Sequence, residues 1–139
     1  MATFGIRDAF ARYGAKLKNV QWSVSAWAPD GSLVVSMWDH HRRRGTAPGT
    51  LVFEGSANRW SGPGNAEFRE NLDRAFGTGA AVRLVISRTD DVPHVESGAD
   101  ASKVKKEFFT KEEVVGRVTE WNGDRYAITF VKASWSGAE

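Results

Sequence analysis

The stretch "EVVGRVTEWNGDRYAITFVK", Glu113 to Lys132, reads as two strands around a tight turn, and it decides the class of fold. Asn122-Gly123 marks a two-residue hairpin turn, because both central positions of a type I′ turn need positive φ. Setting Trp121 opposite Asp124 predicts one face made of Val115, Arg117, Thr119 and Trp121 against Tyr126, Ile128 and Phe130. The other face then carries Val114, Gly116, Val118 and Glu120 against Arg125, Ala127, Thr129 and Val131. Glu120 faces Arg125 in this register, an opposite-charge pair that supports it.

A second hairpin lies upstream in "VQWSVSAWAPDGSLVVSMWDH", Val20 to His40. Pro29-Asp30-Gly31 suits a type I turn closed by a left-handed glycine. With Ala28 facing Ser32, Trp27 lies opposite Leu33 and Trp22 opposite Trp38. Alternation fails after Leu33, as expected of a strand covered on both faces. "TLVFEG", from Thr50, and "AAVRLVISR", ending at Arg88, are two more strands. Ile6, Phe10 and Tyr13 recur at helical spacing before Gly14. The clearest helix runs from Asn65, as N-cap, to Phe76, with Gly77 as its stop; Phe68, Leu72, Ala75 and Phe76 form its apolar stripe. Thr89 to Glu112 is long, charged and weakly patterned, with a helical turn expected near Ser102 to Lys106.

These elements give the order α-β-β-β-α-β-β-β. We expect an α+β domain over residues 1–133, with a short tail at 134–139. Its mostly antiparallel sheet of about six strands would be strongly curved or an open β-barrel, with both helices on one side. In size and mix it resembles the PUA-like nucleic-acid-binding barrels, which is an analogy of fold and not of function. No motif names a family.

The chain has 139 residues, a net charge of +2, and 12% aromatics including six Trp. With charges nearly balanced, local clustering matters more than the total. The absence of Cys removes disulfides and thiolate metal ligands. No signal peptide or membrane-length apolar run is visible, so a cytoplasmic protein without membrane partners is expected.

"SMWDHHRRRGTAPG", Ser36 to Gly49, packs the most chemistry into the fewest residues. Asp39, His40 and His41 are suitable metal donors. In an extended strand, however, neighbouring side chains point to opposite faces, so His40 and His41 would not converge. No metal or cofactor is therefore expected. Arg42, Arg43 and Arg44 form a dense positive cluster, and guanidinium forks suit phosphate oxygens. The alternative is a solvated edge that blocks strand pairing. "NRWSGPGN", Asn58 to Asn65, places Arg59 and Trp60 before the main helix, where backbone N–H groups suit an anion. Lys103 and Lys106 add to a basic surface in the long charged segment. Arg117 stands among apolar neighbours, either open to solvent or anchored in a pocket.

The leading expectation is a non-catalytic nucleic-acid-binding module, DNA or RNA, suited to a regulatory or counter-defence role. It would bind through His41, Arg42, Arg43, Arg44, Arg59, Trp60, Lys103 and Lys106, with exposed Trp stacking on bases. One alternative is a small-ligand-binding β-barrel, its pocket lined by Trp22, Trp38, Arg117, Trp121 and Tyr126. Another is a protein-interaction domain with a protein partner. Catalysis has thin support, because no nucleophile elbow or zinc-protease motif is present.

Overall fold

The computed structural model describes residues 5–43, 46–99 and 104–132. Seven strands form one mixed sheet in the order β1-β2-β4-β6-β7-β3, with β5 pairing β4 off this path. The elements are α1 (Ile6–Ala11), β1 (Ser25–Trp27), β2 (Leu33–Trp38), β3 (Thr50–Ser56), α2 (Pro63–Thr78), β4 (Val82–Thr89), α3 (Val92–Glu96), β5 (Lys106–Thr110), β6 (Val114–Trp121) and β7 (Arg125–Lys132). The class is α+β, as expected. The strand count is seven and not six, and the sheet is not closed into a barrel: β1 and β3 are its two edges. Among the described residues, no helix is long and apolar enough to cross a membrane.

β2 and β4 pair in parallel, from Leu33 opposite Val82 to Trp38 opposite Ser87, and every other pairing is antiparallel. The failed alternation after Leu33 has its explanation here. Leu33, Val35 and Met37 join a core with Phe68, Leu72 and Ala75 of α2. Val34 points the other way, into a second core with Ala9 and Phe10 of α1, Val85 and Phe108. The two helices therefore cover opposite faces, which corrects the expectation that both lie on one side. A strand buried on both faces reads as a continuous apolar run, as is usual for parallel strands.

The upstream hairpin closes as its turn requires. Trp27 pairs with Leu33, Ala28 N donates to Ser32 O at 2.9 Å, and Gly31 sits at φ 89°. β1 starts only at Ser25, so the expected Trp22–Trp38 pair does not form. Helix α2 is capped by Gly62 at φ 108° with Pro63 in its first turn, and ends at Gly79, φ 69°. Asn65 is no cap. It is buried, donates to Ala57 O at 2.8 Å and accepts from Arg69 Nε at 2.8 Å. Phe76 is 46% exposed and falls outside the buried stripe.

The β6–β7 hairpin differs in register. Trp121 pairs with Tyr126 and Glu120 with Ala127, and an irregularity between Val118 and Glu120 sets Val118 opposite Ile128. Residues 122–124 lie between the strands, one more than a two-residue turn, and Asn122 Oδ1 accepts the backbone N–H of both Asp124 and Arg125 at 3.0 and 2.8 Å. A local side-chain bond of this kind competes with the tighter backbone turn. A slip by one residue exchanges the two faces. Val114, Gly116 and Val118 thus face the core, and Glu120 does not oppose Arg125. Gly116 lies so close to Thr129 O and the Phe130 ring that a Cβ there would sit 2.7 and 2.5 Å from them.

The long segment before β6 holds two elements that its composition concealed, α3 and β5. The helical turn expected near Ser102 to Lys106 falls partly outside the described residues, and Lys106 opens a strand. Arg44, Lys103 and the 134–139 tail also lie outside them.

Tyr13 ties α1 to the sheet: its hydroxyl donates to Leu84 O at 2.7 Å and accepts from Lys111 N at 3.1 Å. Burial pushes this phenol from 10.0 up to about 12, against smaller opposing effects of the Lys111 N–H and Arg83. The folded chain then holds a proton that the unfolded chain releases from about pH 10, so stability contributed by Tyr13 is lost as pH rises through that window. Tyr13→Phe should cost about 1 kcal/mol at neutral pH. The gap between wild type and variant, read by urea unfolding, should narrow as pH rises from 10 towards 12.

Candidate functional site

Parallel pairing makes β2 and β4 leave the sheet at the same end. β2 runs into a single 3₁₀ turn, Asp39–His41. β4 runs into α3, where Asp91 caps the helix by accepting from His94 N at 3.3 Å. The last residue of α3, Glu96, meets both histidines: its Oε2 lies 2.9 Å from His40 Nε2 and 2.6 Å from His41 Nε2. A 3₁₀ turn has three residues per turn, so neighbours diverge by about 120° and not by the half-turn of a strand. That is why the two imidazoles converge. Their rings meet edge-on with centroids 4.5 Å apart, and the Trp38 ring lies 5.9 Å from His40.

The His41 side chain is 11% exposed, that of His40 22% and that of Glu96 43%. Burial holds the His41 imidazole below its ordinary value of 6.5, although Glu96 pulls in the opposite direction. For Glu96, burial raises the carboxyl, but the hydrogen bonds from His41 and His40 outweigh it and the net shift is downward.

Arg59 closes the inner side of this cluster. Its Nη1 donates to Val95 O at 2.6 Å, its Nε is buried without a hydrogen-bond partner, and its charge acts on His41, Glu96 and Tyr126. Gly98, at φ 81°, lies against the Arg59 carbonyl so closely that a Cβ would collide with it. These two interactions clip α3 onto the end of the sheet.

The arginine run leads from here to the far edge. Arg42 bridges Phe53, and Arg43 N donates to Val52 O at 2.7 Å, so the backbone of these two residues covers the outer edge of β3. Blocking an edge in this way is how sheets avoid pairing with other chains. Arg42 Nη2 reaches Asp39 Oδ1 at 3.2 Å, and Arg88 Nε reaches Asp39 Oδ2 at 3.7 Å. Arg43 binds Glu54 through Nη2 and Nε at 2.6 and 3.2 Å. Arg88 also covers the Phe109 ring at 5.0 Å. Lys106 is set opposite Thr89, one residue along from Arg88.

Other candidate residues have different surroundings. Trp60 packs against the core, 6.2 Å from the Phe68 ring. Trp121 packs on the same core beside its strand partner Tyr126, whose phenol burial pushes up to about 12. Arg117 is exposed, its Nη1 donating to Gly116 O at 3.0 Å. Trp22 lines a separate groove of about 490 Å³ along α2, with Trp27, Lys16, Lys18, Glu67, Asn71 and Arg74. There Trp27 Nε1 donates to Asn71 Oδ1 at 2.9 Å under the Arg74 guanidinium, 4.3 Å from the ring centroid. Burial raises the Glu67 carboxyl, and its Oε1 has no hydrogen-bond partner.

Glu96 and Arg88 belong to the site although the sequence did not single them out. One signal was present: Asp91 followed by Pro93 is a helix start, with a capping side chain and proline in the first turn. No family model, curated protein or solved structure matches the chain.

Gly98 and Gly31 both have positive φ, but only Gly98 faces backbone where a Cβ would go. Gly31→Ala should therefore cost about 1–2 kcal/mol from conformation alone, and Gly98→Ala distinctly more. Urea midpoints of the two variants check this order.

Proposed function

We propose that the chain is a nucleic-acid-binding module whose binding surface is the end of the sheet where β2 and β4 exit. One observation carries the reading. Two guanidinium groups, Arg42 and Arg88, share the single carboxylate of Asp39, which follows the partly exposed Trp38 in the chain. Among these three groups one positive charge is left over, with Glu107 set opposite Arg88 on β5. Arg43 extends the patch, and its bond to Glu54 is an exposed ion pair. Water screens such a pair, so a phosphate oxygen can exchange with the carboxylate at little cost. Guanidinium forks then fix the backbone while the indole stacks on a base. Arg59 and Trp60 support the site from within, through Val95 and the core.

Titration of tryptophan fluorescence with single-stranded DNA and RNA across a salt series tests this reading. Binding should weaken with salt. For every phosphate that the Arg42→Ala/Arg88→Ala double variant no longer neutralises, the slope of log K against log salt should become shallower by about 0.7. Trp38→Ala should cost about 1–3 kcal/mol of affinity. No binding at low salt, or an unchanged slope in the double variant, overturns the proposal.

The α2 groove supports a second reading, a small-ligand site. Trp22 and Trp27 offer flat walls, and the carboxylates of Glu67 and Glu70 in the lining offer acceptors. A screen of flat, hydrogen-bond-donating compounds should raise the melting temperature without salt dependence, and Trp22→Ala should abolish the rise.

A further inference from the structure

We propose that His40, His41 and Glu96 form a binding site for one divalent transition-metal ion of the zinc class. The site is independent of the nucleic-acid reading. Its donors come from two elements that parallel pairing brings to the same end of the sheet, the 3₁₀ turn after β2 and the end of α3. One ligand atom from each residue lies within 4.8 Å of the others. Tetrahedral bonds of about 2.0–2.2 Å separate ligand atoms by about 3.3–3.6 Å. The present separations of 2.6 and 2.9 Å are shorter, so the Glu96 carboxylate must move outward by up to about 1 Å to admit an ion. Glu96 is the most exposed of the three and the best able to give way.

The donor set selects the ion. Two imidazole nitrogens and one carboxylate oxygen suit zinc, cobalt, nickel or copper(II). Soft ions that need thiolates find none, because the chain has no Cys. Hard ions such as calcium and magnesium need a shell of oxygens. Three protein ligands leave a fourth position open. Glu96 supplies one negative charge against the two of a dication, so the occupied site would keep a positive charge. That balance favours an anionic oxygen as the fourth ligand.

The scaffold supports this assignment. His41 is mostly buried and Trp38 flanks His40, so the rings are held before any ion arrives. Arg59 and Gly98 fix α3 and hence the backbone from which the Glu96 side chain projects. Preorganisation of this kind is what distinguishes a metal site from a chance cluster.

Titration of tag-free, chelator-treated full-length protein with zinc and cobalt(II), without nucleic acid, tests the proposal. Calorimetry should saturate at one ion per chain, zinc should raise the melting temperature, and cobalt should develop an intense visible d–d band. Glu96→Gln and His41→Gln should each weaken binding by more than the 10–100-fold that loss of an outer-shell partner causes. If His41→Gln fails to fold, Glu96→Gln carries the test, because its side chain is exposed and its shape is kept. His94→Gln, at the remaining histidine of the chain, should leave stoichiometry and affinity unchanged. No uptake of either ion in large excess, or full affinity in Glu96→Gln, would show a hydrogen-bonded latch only. Loss of binding in His94→Gln would place the ion elsewhere.

Discussion

The rest of the structure depends on the parallel pairing of β2 with β4, buried on both faces. Leu33, Val35 and Met37 on one side and Val34 on the other are sealed by α2 and α1 respectively. Burying such side chains is worth roughly 1.5–3 kcal/mol each, which no surface ion pair in this chain can match. Parallel strands cannot be joined by a tight turn, so the chain must travel through β3 and α2 between them. Both strands consequently end at the same place. In open sheets with parallel strands, ligands gather outside the carboxyl ends. Here those ends deliver Trp38, His40 and His41 from one strand and Arg88 and α3 from the other.

The arginine run serves structure and electrostatics with the same residues. The backbone of Arg42 and Arg43 covers the outer edge of β3, and their side chains pair with Asp39 and Glu54. The solvated-edge and phosphate-binding readings are therefore not exclusive. Main-chain groups answer the first, and guanidinium groups remain for the second. Arg59 differs from Arg42 and Arg43, although all three are arginines near one end of the sheet. Its bond to Val95 O and its buried Nε make it an internal brace.

The hairpins show how far local chemistry reaches. Ala28 opposite Ser32 and Trp27 opposite Leu33 follow from one turn, and the structure has both. Extending that register to Trp22 fails, because the chain before Val24 leaves the sheet and its Trp22 carbonyl lies against Gly64. At Asn122-Gly123 the turn was legible but its length was not. Hydrogen bonds to one side chain, Asn122, and an irregularity near Thr119 moved Arg117 out of the core face and Gly116 into it. α3 and β5 stayed hidden because neither is long enough to show a period above the surrounding charge.

By itself the sequence determined the α+β class, the places of the two hairpin turns, the main helix and the double burial of β2. Each of these rests on interactions among near neighbours or on a period repeated over many residues. Tertiary structure alone decided the seventh strand, the opposite placement of α1 and α2, and the meeting of His40 and His41 with Glu96. That meeting joins residues more than fifty positions apart through a 3₁₀ turn. No local pattern encodes it, because it follows from which strand ends the shared core brings side by side.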